Sequence, residues 1–530
     1  MKRFLSWTLL AAGGGLVWAL CFARQPLSFA SWLALAPLLL LLRSPWPGRL
    51  AFLHGFVAWM VSLNWIVPTL ETYGGGIPKP LGFALTGLLA AYLSLFGAVF
   101  ARLGAPVWRR GGLARLFVLP ALWVALEWLR TLLFGGFPWN LAAYAWVEVP
   151  GALPLSAWIG AYGISFLLLL ANAAVAAAVE RGEGDPWQRR WRPLVVGLGL
   201  PLLLLPLAGR WNVRQLDAEV HNGVNIGAPF RLLQPNIPNL VEYDAVQVLA
   251  NYRKVVDLSL ASCQPGSLVV WPESAAWPLQ YGRDPDFQMD LRDMVARGCT
   301  VLFNSNHPAG NAFYNSAFLL APGEAPALRY DKRHLVPFGE FIPFKGLFSW
   351  MDKLARNAGD FLPAESLTLL PWGGEKIGMA ICYEVVYPAE VAELTRAGAT
   401  ILVTITNDAW YGDTTAPWQH FRAARFRAAE NRRPMLRAAI TGVSALIRSD
   451  GSVQSQLGVF QEGVIRGWIV GLSGLTPYVR CPWLVPLLCT VVAAFGVYFS
   501  RRGQALLPRR RGHGESDSAQ RSYPTSLPPA

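Results

Sequence analysis

Val269-Val270-Trp271-Pro272-Glu273-Ser274 decides how the polar half of this chain folds. Leu268 to Trp271 is a short unbroken apolar run, as a strand shows when both faces of its sheet are covered. Pro272 cannot donate to a strand ladder and ends it. Glu273 is thereby delivered beyond the strand end. The pattern recurs: Ile377-Gly378-Met379-Ala380-Ile381 runs into Cys382-Tyr383-Glu384, and 401–406 runs into Asn407-Asp408. Further strands are expected at 231–234, 300–304 and 315–320, with a hairpin near 443–456 turned at Ser449-Asp450-Gly451. Helical stretches are expected at 241–261, 284–297, 388–397 and 417–432. This alternation makes 229–470 an α/β layered domain. In such sheets functional groups gather at strand ends.

A third segment completes the chemistry: Tyr330-Asp331-Lys332-Arg333-His334-Leu335-Val336-Pro337-Phe338-Gly339-Glu340. Together the segments supply a carboxylate, an amine and a thiol. A thiol attacks as thiolate, so a neighbouring base and a neighbouring cation both serve it. Glu273 suits the base, Lys332 the cation, Cys382 the nucleophile, and the N–H of Tyr383 an oxyanion donor. Taken singly, each has a plain structural reading: a buried thiol, a capping acid, a solvated amine. A Cys–His dyad using His334 or His420 also fits the spacing.

The chain has 530 residues, 53% hydrophobic and only 15% charged. Soluble domains carry about 25% charged residues, so this is a membrane protein by composition. A spanning helix needs about 20 apolar residues. Candidates lie near 4–23, 26–43, 50–69, 80–101, 115–134, 156–179, 194–208 and 482–500. The first is preceded by Lys2 and Arg3 but followed at once by further segments, and is read as a retained helix rather than a cleaved signal. Arg-rich connections alternate with Arg-poor ones, which places the Arg-rich ones in the cytoplasm. Seven helices in 1–208 then put 229–470 outside, and the eighth, 482–500, returns the chain to a basic, disordered cytoplasmic tail at 501–530. The same Arg placement accounts for the net charge of +13 and argues against nucleic-acid binding.

The loop Phe134-Gly135-Gly136-Phe137-Pro138-Trp139-Asn140 is expected on the outer side, with Trp139 an interface anchor or part of a lipid-contacting rim. The aromatic, Gly/Pro-interrupted stretch from Phe341 to Trp350 reads either as a mobile lid or as an ordinary loop. Tyr243, Phe341 and Trp410 join Trp139 as candidate lipid contacts. Cys263 and Cys299 could pair if their region is extracytoplasmic, but two free, buried thiols are the favoured expectation. Neither Cys-x-x-Cys nor His-Glu-x-x-His occurs, so no metal is signalled. A transporter is disfavoured, because the spanning segments show no paired repeats and few ionisable residues beyond Glu127 and Arg130.

Taken together, the three segments resemble the Glu–Lys–Cys triad of the nitrilase (carbon–nitrogen hydrolase) superfamily. Trp-Pro-Glu resembles its Glu motif, Lys-Arg-His-Leu-Val-Pro-Phe-Gly-Glu its Lys motif, and Ile-Cys-Tyr-Glu its Cys motif. With the hydrophobic segments included, residues 1–500 resemble the apolipoprotein N-acyltransferase family of Gram-negative bacteria. The resemblance implies an αββα sandwich held in the periplasm by about eight helices of the inner membrane. It implies an acyl donor among the membrane phospholipids, chiefly phosphatidylethanolamine, and as acceptor the amine of S-diacylglyceryl-cysteine at an apolipoprotein's N-terminus. It implies no cofactor. Residue by residue it makes Cys382 the nucleophile, Glu273 the base and Lys332 the oxyanion stabiliser, with Glu340, Tyr383 and Glu384 in support. One segment departs from the pattern: Gln234-Pro235-Asn236-Ile237-Pro238 stands where the family has Gln-Gly-(Asn/Asp)-Ile-Pro, and Tyr243 stands where a Trp is familiar. A membrane-tethered amidase or hydrolase is the alternative, but a small soluble amide would not require so many helices.

Overall fold

The computed structural model describes residues 2–72, 76–180, 187–222, 227–238, 244–323, 326–341 and 361–505. The first half is helical: α1 (Lys2–Leu20), α2 (Ala36–Leu40), α3 (Pro47–Ser62), α4 (Ile66–Thr72), α5 (Lys79–Arg110), α6 (Ala114–Arg130), α7 (Ala152–Val179) and α8 (Trp187–Asn222). Among the described residues of the whole chain, five helices are long and apolar enough to cross a membrane, or six if α3 and α4, bent by 48°, form one span. With α3 and α4 taken as one span, six of the eight expected segments reach that length and two fall short. One is α6, with 17 residues. The other is 26–43, which is broken into short turns around α2.

Asn172 of α7 explains how a break at α2 survives burial. Its Oδ1 accepts from the N–H groups of Leu35 and Ala36, and its Nδ2 donates to the carbonyls of Ser31 and Leu168. An amide in the apolar interior thus satisfies the backbone that the break exposes. The segment expected at 194–208 is much longer, running through Pro193, Pro201 and Pro206 as one helix. Prolines are tolerated in spanning helices, where neighbours satisfy the freed backbone groups.

The second half is two six-stranded sheets face to face. The strands are β1 (Ala228–Gln234), β2 (Leu268–Val270), β3 (Thr300–Ala309), β4 (Ala312–Leu320), β5 (Leu328–Asp331), β6 (Leu369–Trp372), β7 (Glu375–Ile381), β8 (Ile401–Thr406), β9 (Met435–Ala439), β10 (Ser444–Ile447), β11 (Val453–Leu457) and β12 (Gly463–Ile469). One sheet has the order β12-β1-β2-β3-β4-β5 and the other β11-β10-β9-β8-β7-β6. Between them lie Phe230, Leu232, Val270 and Leu302 from the first, against Met379, Ile381, Val403 and Ile405 from the second. Alternate residues face outward, as the two-residue period of a strand requires. Val269, Trp271 and Phe303 pack under α9 (Ala245–Ser262) and α10 (Pro285–Ala296). Leu402 and Met435 pack under α11 (Pro388–Arg396) and α12 (Ala416–Asn431).

That last layer carries the connection to the membrane half. Residues of α11 and α12 belong to the same continuous apolar core as α1, α3, α6 and α7. Gly160 breaks α7 with φ 66°. A Cβ there would come within 2.5 Å of Tyr478, on α13 (Pro477–Arg480). After α13 the chain re-enters the helical half as α14 (Leu484–Ala505).

The expectation of free thiols at Cys263 and Cys299 is wrong: the two form a disulfide. The end of α9 and the start of β3 meet with 6.0 Å between the Cα atoms, inside the span a disulfide requires. Sequence separation hid this, because β2 intervenes and pairs in parallel with β3.

Candidate active site

Glu273, Lys332 and Cys382 each sit just past a strand end, after β2, β5 and β7, and all three are buried. The Lys332 ammonium donates to Glu340 Oε1 at 2.8 Å and lies 3.9 Å from Glu273 Oε1. Asn315 of β4 donates its Nδ2 to both carboxylates, at 3.0 Å to Glu273 and 2.8 Å to Glu340. Glu273 Oε2 accepts from the Asn407 N–H at 3.0 Å, and Glu340 Oε2 from the Val336 N–H at 2.8 Å. Both carboxylates are therefore fixed on both oxygens. Burial pulls the Lys332 pKa down, and Glu340 and Glu273 more than reverse this, so the ammonium is held charged.

Cys382 begins a short 3-10 turn, Cys382–Val386, with φ 53°. Burial pushes its thiol pKa up, and the Glu273 carboxylate pushes it further, against Lys332 and a hydrogen bond from Thr406. At rest the site therefore holds a protonated thiol within the field of both a base and a cation.

Glu384 ties two of the segments together. It accepts from the Tyr330 hydroxyl and from the N–H groups of Arg333, His334 and Ile381. Burial pushes its carboxyl up to about 7, while these donors and Lys332 oppose the rise. Glu384 is thus a brace, with its capacity spent on the loops that deliver Lys332 and Cys382.

Neither histidine makes a dyad with the thiol. His334 pairs with Glu390 at 2.8 Å and stacks on Tyr387 at 3.7 Å. His420 turns Nε2 to the Cys382 carbonyl oxygen at 3.0 Å and Nδ1 to Asp408 at 3.1 Å.

The remaining candidates divide. Trp139, expected at the interface, is instead only 2% exposed. Its ring packs against Tyr383, Tyr411, His420 and Trp65, and its Nε1 donates to Gln419. The loop that carries it is fastened by the buried Glu127 and Arg130. Glu127 accepts from the Ala142 N–H, and Arg130 donates to the Trp139 carbonyl. Trp410 is 40% exposed, and its carbonyl accepts from Thr69 of α4. Phe341 is half-buried and closes the Lys segment through a hydrogen bond from the Phe338 N–H to its carbonyl. Tyr243, and the rest of the expected lid at 342–350, lie outside the described residues.

Sequence reasoning missed Asn315 and its partner Asn304, which donates to Asn315 Oδ1 at 2.7 Å and accepts from the Ser274 N–H. A signal was present: asparagine is depleted in strands, and these two stand inside apolar β-runs.

Two family models match the chain: the apolipoprotein N-acyltransferase N-terminal domain over residues 14–174, and carbon-nitrogen hydrolase over residues 231–470. Apolipoprotein N-acyltransferase of Geobacter metallireducens is 35% identical, over 92% of this chain and 94% of that relative. That of Ralstonia nicotianae is 34% identical over 89% of each. Among solved structures, a CN-hydrolase superfamily protein from Xanthomonas campestris is 18% identical, covering 49% of this chain and 96% of its own, with a TM-score of 0.37. On this identity and coverage, the chain belongs to the apolipoprotein N-acyltransferase family.

Proposed function

We propose that Cys382 is the nucleophile of the lipoprotein N-acylation that defines this family, with Glu273 as its base and Lys332 as its oxyanion partner. The observation that carries the reading is the convergence of three distant segments on one buried point, with Asn315 and Glu340 fixing the charges. Glu273 takes the thiol proton as sulfur attacks the ester carbonyl of a membrane phospholipid. Lys332 and the Tyr383 N–H stabilise the oxyanion. A lysophospholipid leaves with the proton from Glu273, and a thioester remains. The N-terminal amine of a diacylglyceryl apolipoprotein then attacks, Glu273 takes the amine proton and returns it to the sulfur, and the amide is released. Phosphatidylethanolamine is the donor this reading favours. The aromatic layer of Trp65, Trp139, Tyr383 and Tyr411 favours transfer to an amine over hydrolysis, because it limits water at the thioester.

The eight hydrophobic segments are read as eight crossings, α6 and the broken α2 region included. The units are 1–208, the catalytic domain 229–470, the last crossing 482–500 and the basic tail 501–530. Both ends lie in the cytoplasm and the catalytic domain in the periplasm. The Arg distribution supports this, and so does the Cys263–Cys299 disulfide, since disulfides persist on the oxidising side of a membrane. An open cavity of about 750 Å³, lined by Arg24, Asn64, Glu71, Lys79, Phe83 and Asp413 among others, lies beside the turn that carries Trp410. It offers a route for lipid, and the turn that carries Trp410 runs into its wall at Asp413.

The test is the mass of the Cys382 peptide after incubation with phospholipid alone. An acyl-sized increase is expected, discharged on adding an amine acceptor and absent in Cys382→Ala. Amide formation that survives Cys382→Ala would overturn the reading.

A further inference from the structure

His420 is fully buried, contacts the nucleophile's residue, and has no part in the chemistry above. Its Nε2 lies 3.0 Å from the carbonyl oxygen of Cys382. A carbonyl only accepts, so Nε2 carries a proton and donates it. The other edge of the ring is anchored: Nδ1 is 3.1 Å from Asp408 Oδ1 and 3.2 Å from Arg437 Nη2. Arg437 and Asp408 are themselves paired at 2.8 Å. Trp139 covers the imidazole face, with ring centres 5.8 Å apart. The imidazole is therefore held from three sides, with its one outward N–H on the Cys382 carbonyl.

The peptide that follows Cys382 is a rigid trans plane, so its carbonyl oxygen and the Tyr383 N–H point in opposite directions. Whatever fixes one fixes the other. Tyr383 is the second residue of the turn, where a helical N–H has no acceptor within the helix. Cys382 itself is left-handed, with φ 53°, a conformation that a non-glycine residue leaves readily unless its surroundings hold it. Rotation of this peptide would turn the Tyr383 N–H away from the developing oxyanion while leaving the thiol in place.

We propose that His420 is a positioning residue that clamps the Cys382–Tyr383 peptide so that the Tyr383 N–H faces the oxyanion. Asp408 and Arg437 orient the clamp. This rests on the thioester reading of Cys382. It assigns His420 to the stabilisation of a tetrahedral intermediate and to no proton transfer with the thiol.

Two variants of the full chain separate this role from a merely structural one. His420→Gln places an amide N–H near the position of Nε2, and His420→Asn places its amide near Nδ1. Both remain polar beside Asp408 and Arg437. Two rates on Cys382 are compared at one pH: acylation by phospholipid vesicles, which passes through an oxyanion, and alkylation by iodoacetamide, which does not. His420→Asn is expected to slow acylation by about 100-fold, the effect of losing one oxyanion donor. Its alkylation rate and half-saturating phospholipid concentration should stay close to those of the wild type. His420→Gln should recover most of the acylation rate. The proposal is overturned if His420→Asn acylates at the wild-type rate, if alkylation falls in step with acylation, or if His420→Gln is no faster than His420→Asn. Absence of any acyl adduct on wild-type Cys382 would overturn the thioester reading and this one with it. A normal wild-type adduct with an unimpaired Asn variant overturns the clamp alone.

Discussion

Cys382 combines two costs. Its left-handed backbone is one that a non-glycine residue adopts at about 1–3 kcal/mol, and its thiol pKa is raised, first by burial and then by Glu273. The direction of that shift sets a pH prediction. A raised pKa leaves little thiolate at neutral pH, so alkylation of Cys382 by iodoacetamide should still be climbing well above pH 8.5, where an ordinary thiol is half-ionised. A plateau below pH 7, as for a stored thiolate–cation pair, would contradict the resting thiol described here. At this scale the sequence was informative where chemistry follows a strand end. Glu273 and Cys382 do so after strands legible in the sequence, whereas Lys332 follows β5, a strand the sequence did not announce, and was found through its motif. Asn315 was not readable in the same way, because its meaning depends on the β3–β4 register, which sets Asn306 opposite Asn315 and Asn304 opposite Ala317. Only that pairing carries the Asn315 amide to two carboxylates contributed by other segments.

Among elements, the break around α2 depends on a single side chain in α7. Asn172→Leu would leave the Leu35 N–H buried without its acceptor, at about 1–3 kcal/mol, and the Ala36 N–H with the Leu33 carbonyl alone. A clear fall in the melting temperature in detergent is expected. Equal melting of wild type and Asn172→Leu would show that the break does not need the amide. Elements were legible where hydrophobic period and punctuation agreed. The Ser449-Asp450-Gly451 turn does join β10 to β11, with Asp450 accepting from the Ser452 N–H. Four strands escaped notice for local reasons. β5 is largely charged or polar, β6 contains Pro371, β9 contains the buried Arg437, and β12 is interrupted by Gly467. Each is a strand because a neighbour supplies the ladder, which its own composition does not announce.

For the molecule as a whole, the disulfide joins stability to placement. Closing a loop between residues 36 apart stabilises by about 4 kcal/mol in the chain-entropy account. Cys263→Ser with Cys299→Ser should lower the melting temperature of the catalytic half, and reductant should bring the wild type to the same value while leaving the double variant unmoved. A wild type indifferent to reductant would remove this support for an oxidising location. An α/β layered domain was foreseeable from the alternation of strands and helices, and the family resemblance implied the sandwich, but the fusion to the membrane half was foreseeable from neither. α12 has a weak apolar pattern, with Gln419, His420, Arg422, Arg427 and Glu430 all buried, and nothing in that sequence says that the burying surface is α7. One consequence concerns motion. A tethered enzyme can swing on its linker to find a substrate. Here one apolar core runs unbroken from α1 to α12, so swinging would require tearing that core open. On the proposed role of Cys382, the thiol therefore keeps its position relative to the helical half, and both acyl donor and acceptor must be brought to it.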